Sequence, residues 1–127
     1  MSEPENAPLS GRRVLVVEDE LMIAMLVEEM LTELGYAVIG PAHALDTALD
    51  LARTDPAPDV ALLDVNLAGE PVFAVADALR QKGVPAIFST GYGDVALREV
   101  DRGAPILQKP FLAGDLARAL TQALGRA

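Results

Sequence analysis

The chain has 127 residues, half of them hydrophobic and few of them aromatic, which predicts one domain with an aliphatic core. Nineteen acidic residues against ten Lys and Arg give a formal net charge of −9, so nucleic acid is not an expected partner. Because the chain has no cysteine, disulfide frameworks and thiolate zinc sites are excluded and a cytoplasmic location is expected. No apolar stretch is long enough to span a membrane, and the N-terminal residues do not resemble a secretory signal.

The first half of the chain alternates apolar runs with helical patterns. Residues 1–11 are expected to form a flexible tail, and the folded domain is expected over residues 12–127. Pro41 is expected to end the second strand, because proline removes a ladder hydrogen bond. In chain order the predicted elements are a strand over 14–17, a helix over 20–34, a weak strand over 37–40 and a helix over 45–52.

The second half repeats this alternation. Gly69 and Pro71 predict a turn, and Gly91 to Gly93 predict another before a short or mobile fourth helix. The C-terminal segment is amphipathic from Leu112 onward. The predicted elements are a strand over 60–63, a helix over 72–81, a strand over 86–89, a short helix over 94–100, a strand over 106–107 and a C-terminal helix.

Five strands that alternate with helices predict an α/β fold of the doubly wound, flavodoxin-like type. Its parallel sheet would have the order 2-1-3-4-5, with helices on both faces. In such sheets ligands bind outside the carboxyl ends of the strands. The functional residues are therefore expected where the strands end.

Polar residues follow four of the predicted strands. The strand order places these four strand ends side by side, so residues far apart in sequence are expected to converge there. Taken singly, each of these residues is more often a turn or surface residue, and only their joint position favours a site. The residues are Glu18 and Asp19 after the first strand, Asp64 after the third, Thr90 after the fourth and Lys109 after the fifth.

Three carboxylates in one pocket predict a bound cation, because they would otherwise repel one another. An oxygen-only set suits Mg²⁺, which keeps several waters and needs few protein ligands. The predicted ligands are Glu18, Asp19, Asp64 and the main-chain carbonyl of Asn66. A carboxylate beside Mg²⁺ can attack a phosphoryl donor, with Lys109 and the Thr90 hydroxyl stabilising the transferred group. The pattern therefore predicts an aspartyl-phosphate site at Asp64.

These residues, in this series of strands and helices, resemble the receiver domains of two-component signalling over about residues 12–124. The resemblance implies that Asp64 is the phosphoacceptor for a histidine kinase, and that Asp19 binds Mg²⁺ directly while Glu18 acts through water. It also implies that Asn66 completes the metal ligands, and that Thr90 and Lys109 contact the phosphoryl group. We therefore expect a single-domain response regulator, a monomer or weak dimer, that signals by protein contact or withdraws phosphate from a shared kinase.

Residues 88–93 are similar to the Phe-Ala-Thr-Gly-x-Tyr motif of the FATGUY receivers, with Ser89 in place of alanine and Tyr92 slightly early. This likeness implies a kinase of the HWE or HisKA2 type. Typical receivers have an aromatic residue three positions before the lysine, where this chain has Ile106. The candidate switch residues are therefore Thr90, Tyr92 and Ile106, and a switch that depends on the 91–100 loop is the hypothesis.

Two other functions remain open from the sequence. A Mg²⁺-dependent aspartyl-phosphate hydrolase would use the same nucleophile, although Asp64-Val65-Asn66 lacks the second acid of its usual pair. A phosphorylation-independent scaffold is suggested by Ile106. His43, the only histidine, has no second His or Cys with which to build a zinc site.

Overall fold

A computed structural model of the protein describes residues 11–91 and 96–126. It has seven strands, four α-helices and one 3₁₀ helix within these ranges. The strands are β1 (Arg13–Val17), β2 (Ala37–Ala42), β3 (Val60–Asp64), β4 (Asn66–Leu67), β5 (Glu70–Pro71), β6 (Ala86–Thr90) and β7 (Ile106–Gln108). The helices are α1 (Leu21–Glu33), α2 (Leu45–Ala52), α3 (Phe73–Gln81), the 3₁₀ helix (Glu99–Asp101) and α4 (Ala113–Arg126).

The five long strands form one parallel sheet in the order β2-β1-β3-β6-β7. This is the predicted order 2-1-3-4-5, so the flavodoxin-like prediction is confirmed. The sheet has a hydrophobic core on each face, as its continuous apolar strands require. One face packs against α1 and α4 through Val27, Leu31, Leu116 and Leu120, and the other packs against α2 and α3.

The predicted end of β2 before Pro41 is wrong, because the strand continues to Ala42. The register changes there, with Leu15 opposite Ile39 but Val17 opposite Ala42. Gly40 allows this irregularity, since its φ of 92° is left-handed and a Cβ would lie 2.8 Å from the Ala42 nitrogen. The strand accommodates proline because it is at the edge of the sheet.

A small hairpin that the sequence did not predict as such follows β3. Strands β4 and β5 pair antiparallel, with Leu67 opposite Glu70. Ala68 and Gly69, which join them, both have positive φ (52° and 87°), as the tight two-residue turns of hairpins require. The hairpin lies directly after Asp64, so it shapes the edge of the predicted site.

The prediction of a short helix over residues 94–100 is wrong for residues 96–98, which are not helical, whereas Glu99 and Val100 belong to a 3₁₀ helix. The proposed switch residue Tyr92, and the remainder of its turn up to Val95, lie outside the described residues. None of the helices in the described ranges combines the length and apolar character needed to cross a bilayer.

Candidate phosphoacceptor site

The alternation of side chains along the strands decides which polar groups meet. Val16, Leu62 and Leu107 all belong to the core on the α1 and α4 face. Glu18, Asp64 and Lys109 each follow one of them by two positions, so their side chains start from the same face. The sheet thus brings these three groups together beyond its carboxyl edge.

Lys109 joins the two buried acids of this group. Its Nζ lies 3.0 Å from Oδ2 of Asp64, and 3.0 and 3.2 Å from Oε1 and Oε2 of Glu18. Glu18 and Asp64 are only 4% and 3% exposed. Buried carboxylates of this kind need a cation, and the Lys109 ammonium group provides one.

The pKa values of this group reflect both burial and pairing. Burial is the largest cause of a rise in the pKa of Asp64 to about 7. The hydrogen bond from Lys109 lowers this pKa and the nearby Glu18 carboxylate raises it, so the hydrogen bond only partly offsets the rise. Burial acts to lower the pKa of Lys109, but hydrogen bonds to Glu18 and Asp64 outweigh it and raise that pKa. Lys109 is therefore charged, whereas Asp64 changes its charge close to neutral pH.

The hairpin fixes the remaining carboxylate oxygens. The Asn66 main-chain N–H donates to Oδ1 of Asp64 at 3.2 Å, and the Ala68 N–H donates to Oδ2 of Asp19 at 3.0 Å. The Glu20 N–H donates to Oε2 of Glu18 at 3.2 Å. Each acid is thus oriented by at least one main-chain donor, which preorganises the group for a ligand.

The donor set fits a hard divalent cation. Glu18, Asp19 and Asp64 each offer a carboxylate oxygen, and these oxygens all lie within 4.8 Å of one another. The set contains only oxygen, as Mg²⁺ and Ca²⁺ prefer, and no sulfur or histidine nitrogen. The predicted metal ligands are therefore brought together, with Asn66 next to Asp64 on the hairpin.

The carboxylates open into a cavity of about 500 Å³. Its polar lining includes Asp19, Asp64 and Lys109. Its apolar lining comes from α1 and from the residues after β7. The apolar lining consists of Ile23, Leu26, Val27, Met30, Pro110 and Phe111.

Thr90 ends β6, and its main-chain carbonyl accepts the Lys109 N–H at 2.8 Å. The structure thus links Thr90 to the site through its backbone. Because side chains alternate along β6 and Ser89 is the partner of Asp64, the Thr90 side chain starts from the face opposite to that of Asp64. Ile106, on the same face as Thr90, is 52% exposed.

Two features near the site were not predicted from the sequence. The Ser89 hydroxyl is buried, and it has no hydrogen-bond partner among the described residues. His43 donates from Nδ1 to the Glu18 carbonyl at 2.9 Å, which ties the end of β2 to the end of β1. The two-residue alternation could have placed Ser89 beside Asp64, but a lone histidine carries no comparable signal.

Comparison with known proteins decides the family. The sequence pattern described as "Response regulator receiver domain" matches residues 14–121. The chain belongs to the response regulator receiver family. As a receiver it is a domain of two-component signalling, and the acids at its strand ends occupy the site that the fold provides for chemistry.

Its relatives include larger regulators. The chain is 35% identical over 114 residues to the phyllosphere-induced regulator PhyR of Methylorubrum extorquens, covering 87% of this chain and 43% of PhyR. It is 35% identical over 119 residues to the transcriptional regulatory protein PdtaR of Mycobacterium tuberculosis, covering 91% and 58%. The receiver thus spans about half the length of these curated relatives.

A solved structure matches over nearly its whole length. The solution structure of SdrG from Sphingomonas melonis is 37% identical, with a TM-score of 0.80, and the match covers 91% of this chain and 98% of that one. A second structure of SdrG, described as the BeF3-activated conformation, matches with a TM-score of 0.75. The receiver fold of this chain therefore has a structural relative of similar size.

Proposed function

We propose that this receiver is a single-domain response regulator that accepts a phosphoryl group from a histidine kinase on Asp64. The observation that carries the proposal is the meeting of Asp64 with Lys109, Glu18 and Asp19 at one strand edge. A carboxylate nucleophile needs nearby positive charge to approach an anionic phosphoryl donor. Lys109, 3.0 Å from Asp64, supplies that charge within the chain.

Mg²⁺ is the proposed cofactor. Asp19, Asp64 and the main-chain carbonyl of Asn66 would hold it, with Glu18 acting through water, and it would neutralise charge on the phosphoryl oxygens. Lys109 would contact a phosphoryl oxygen, and Thr90 would donate its hydroxyl to another. The protein would thereby catalyse only its own phosphorylation and dephosphorylation, without turnover of an external substrate.

The exposed apolar surface of α1 is suited to bind a helix of a partner such as a histidine kinase. Met22 and Met25 are 84% and 67% exposed, and Leu26 lines the cavity that leads to Asp64. Exposed apolar side chains at helical spacing fit an amphipathic helix, which would deliver a phosphohistidine to the cavity. The proposed kinase is of the HWE or HisKA2 type, by the likeness of residues 88–93 to the FATGUY motif.

The proposed output is contact with a downstream protein, or withdrawal of phosphate from a shared kinase, in the cytoplasm. Val100 and Ile106 are 60% and 52% exposed and offer an apolar contact surface near β7. A phosphoryl group on Asp64 would carry a charge of about −1.5 to −2, which would bias the segment between β6 and β7. Residues 12–127 are proposed as the domain and residues 1–11 as a tail.

Intact-mass measurement after incubation with acetyl phosphate and Mg²⁺ tests the proposal. The wild-type protein should gain one phosphoryl group, and Asp64→Asn should gain none because the nucleophile is absent. Asp115→Asn, which removes a partly exposed acid on α4, is the matched control and should be phosphorylated like the wild type. An unmodified wild-type protein would refute the proposal: without consumption of the donor it would favour a phosphorylation-independent scaffold, and with rapid consumption of the donor it would favour the hydrolase.

A further inference from the structure

Ser89 is a buried polar residue at the end of β6. It is 2% exposed, and its Oγ has no hydrogen-bond partner within residues 11–91 and 96–126. A buried hydroxyl without a partner destabilises a protein, and alanine of nearly the same size would avoid the cost. Buried polar groups without a hydrogen-bond partner are rare in native proteins, and a functional role is one reason to retain them.

The register of the sheet places Ser89 beside the phosphoacceptor. Ser89 on β6 is the parallel partner of Asp64 on β3, and strands that are hydrogen-bonded to each other lie about 4.8 Å apart. Ile87, two residues before Ser89, belongs to the same core as Leu62, two residues before Asp64. The two side chains therefore start from the same face of the sheet.

Lys109 covers this position. It follows β7, and its Nζ reaches Asp64 on β3 and Glu18 after β1, so its side chain crosses β6. Ser89 starts from the face that Lys109 crosses, which accounts for the burial of its hydroxyl. In the unphosphorylated protein the Asp64 oxygens already have donors, Lys109 at Oδ2 and the Asn66 N–H at Oδ1.

We propose that the Ser89 hydroxyl donates a hydrogen bond to the Asp64 carboxylate as the phosphoryl group leaves, and so shortens the lifetime of the phosphorylated state. This role rests on the proposed function. In the phosphorylated state the phosphoryl oxygens would attract the Lys109 ammonium group, which would leave the aspartyl oxygen with one donor fewer. Ser89 is the buried hydroxyl residue at the β6 position paired with Asp64.

The hydrolysis step shows why this donor accelerates dephosphorylation. A water oxygen forms a bond to phosphorus, the bond between phosphorus and the Asp64 oxygen breaks, and its electron pair stays on the carboxylate. The water proton goes to solvent, and inorganic phosphate leaves. Negative charge grows on the departing carboxylate, so a donor there stabilises the transition state more than the acyl phosphate.

The experiment compares wild type, Ser89→Ala and Ser89→Cys after phosphorylation with acetyl phosphate and Mg²⁺ and removal of the donor. Intact mass is followed with time. Ser89→Ala should lengthen the half-life of the phosphoprotein about three- to tenfold, the effect of one hydrogen bond. Ser89→Cys, with a weaker donor of similar size, should fall between the two. After chelation of Mg²⁺ we expect the same ratio between the half-lives of Ser89→Ala and wild type, because the hydroxyl acts on the leaving carboxylate.

A purely structural role predicts different results. Ser89→Ala would then change the unfolding temperature and leave the half-life at the wild-type value, which would overturn the proposal. A shorter half-life would overturn it as well. Thr121→Ala, which removes an exposed hydroxyl on α4, is the control for the measurement and should match wild type. If the wild type forms no phosphoprotein, the proposed function fails and this role fails with it.

Discussion

Asp64 combines deep burial with a pKa near neutrality, and this combination predicts how the acid affects stability. Its pKa is raised from 3.8 to about 7, so between these values the folded protein binds a proton that the unfolded chain releases. Asp64 therefore costs stability as pH rises from about 4 to 7. Asp64→Asn should raise the free energy of unfolding at pH 8, on the order of 2 kcal/mol, because an uncharged amide replaces a buried carboxylate.

Urea unfolding at pH 8 and pH 5 in the presence of a chelator measures this effect. The gain of Asp64→Asn over wild type should shrink at pH 5, where Asp64 is largely protonated in the folded protein. Asp115→Asn, which removes a partly exposed acid outside this group, is the control for the loss of one negative charge. An equal or larger gain at pH 5 would show that Asp64 is ionised across this range.

At the scale of elements, a four-residue ion-pair network holds the segment before β7 onto α3. Arg98 donates to Asp77 on α3 at 2.9 and 3.2 Å and to Asp101 in the 3₁₀ helix at 2.8 Å. Arg80 also bonds both acids, and the Arg98 guanidinium lies 4.5 Å above the Phe73 ring. The network takes the place of the helix that the sequence predicted in this region.

Burial predicts unequal contributions within this network. The Asp101 side chain is 2% exposed and that of Asp77 is 46% exposed, so solvent screens the Arg98 pair with Asp77 more strongly. In double-mutant cycles to alanine measured by urea unfolding, we expect a coupling of about 2 kcal/mol for Arg98 with Asp101. The coupling of Arg98 with Asp77 should be about 0.5 kcal/mol. Equal couplings would mean that burial does not control the strength of these pairs.

The elements that the sequence predicted correctly are those with strong periodic patterns. The apolar runs of β1, β3 and β6 and the amphipathic pattern of α1 need no distant partner to be recognised. The path of β2 through Pro41 could not be predicted in the same way, because the irregularity depends on pairing with β1. Likewise, the segment before β7 is held by ion pairs with Arg80 and Asp77, which lie more than 15 residues away in sequence. No local sequence pattern predicts ion pairs over such a separation.

For the whole molecule, strand order determined which site residues could be predicted. The positions of Glu18, Asp19, Asp64 and Lys109 were predictable because each lies at or just after the end of a strand whose place in the sheet was predicted. A role for Ser89 could not be predicted from the sequence, because it is suggested only by the burial of its hydroxyl and by the absence of a hydrogen-bond partner among the described residues. The roles of the predicted site residues stay predictions: the metal ligation by Glu18, Asp19, Asp64 and Asn66, the phosphoacceptor role of Asp64, the phosphoryl contacts of Thr90 and Lys109, and the switch at Thr90, Tyr92 and Ile106.

Because the net charge is −9, any cation will stabilise the folded protein to some degree. Specific binding of Mg²⁺ must therefore be distinguished from this general effect of charge screening. Specific binding of Mg²⁺ to the folded state should raise its stability by about 2.7 kcal/mol at 100 times the dissociation constant. For a domain of this size we expect an increase of roughly 10 °C in the unfolding temperature. Asp19→Asn should lose most of this increase, whereas Asp115→Asn, with the same change in net charge, should keep it. The measurement is thermal unfolding by circular dichroism with MgCl₂ against NaCl of equal ionic strength, and equal shifts in the two salts would mean that Mg²⁺ acts only by screening.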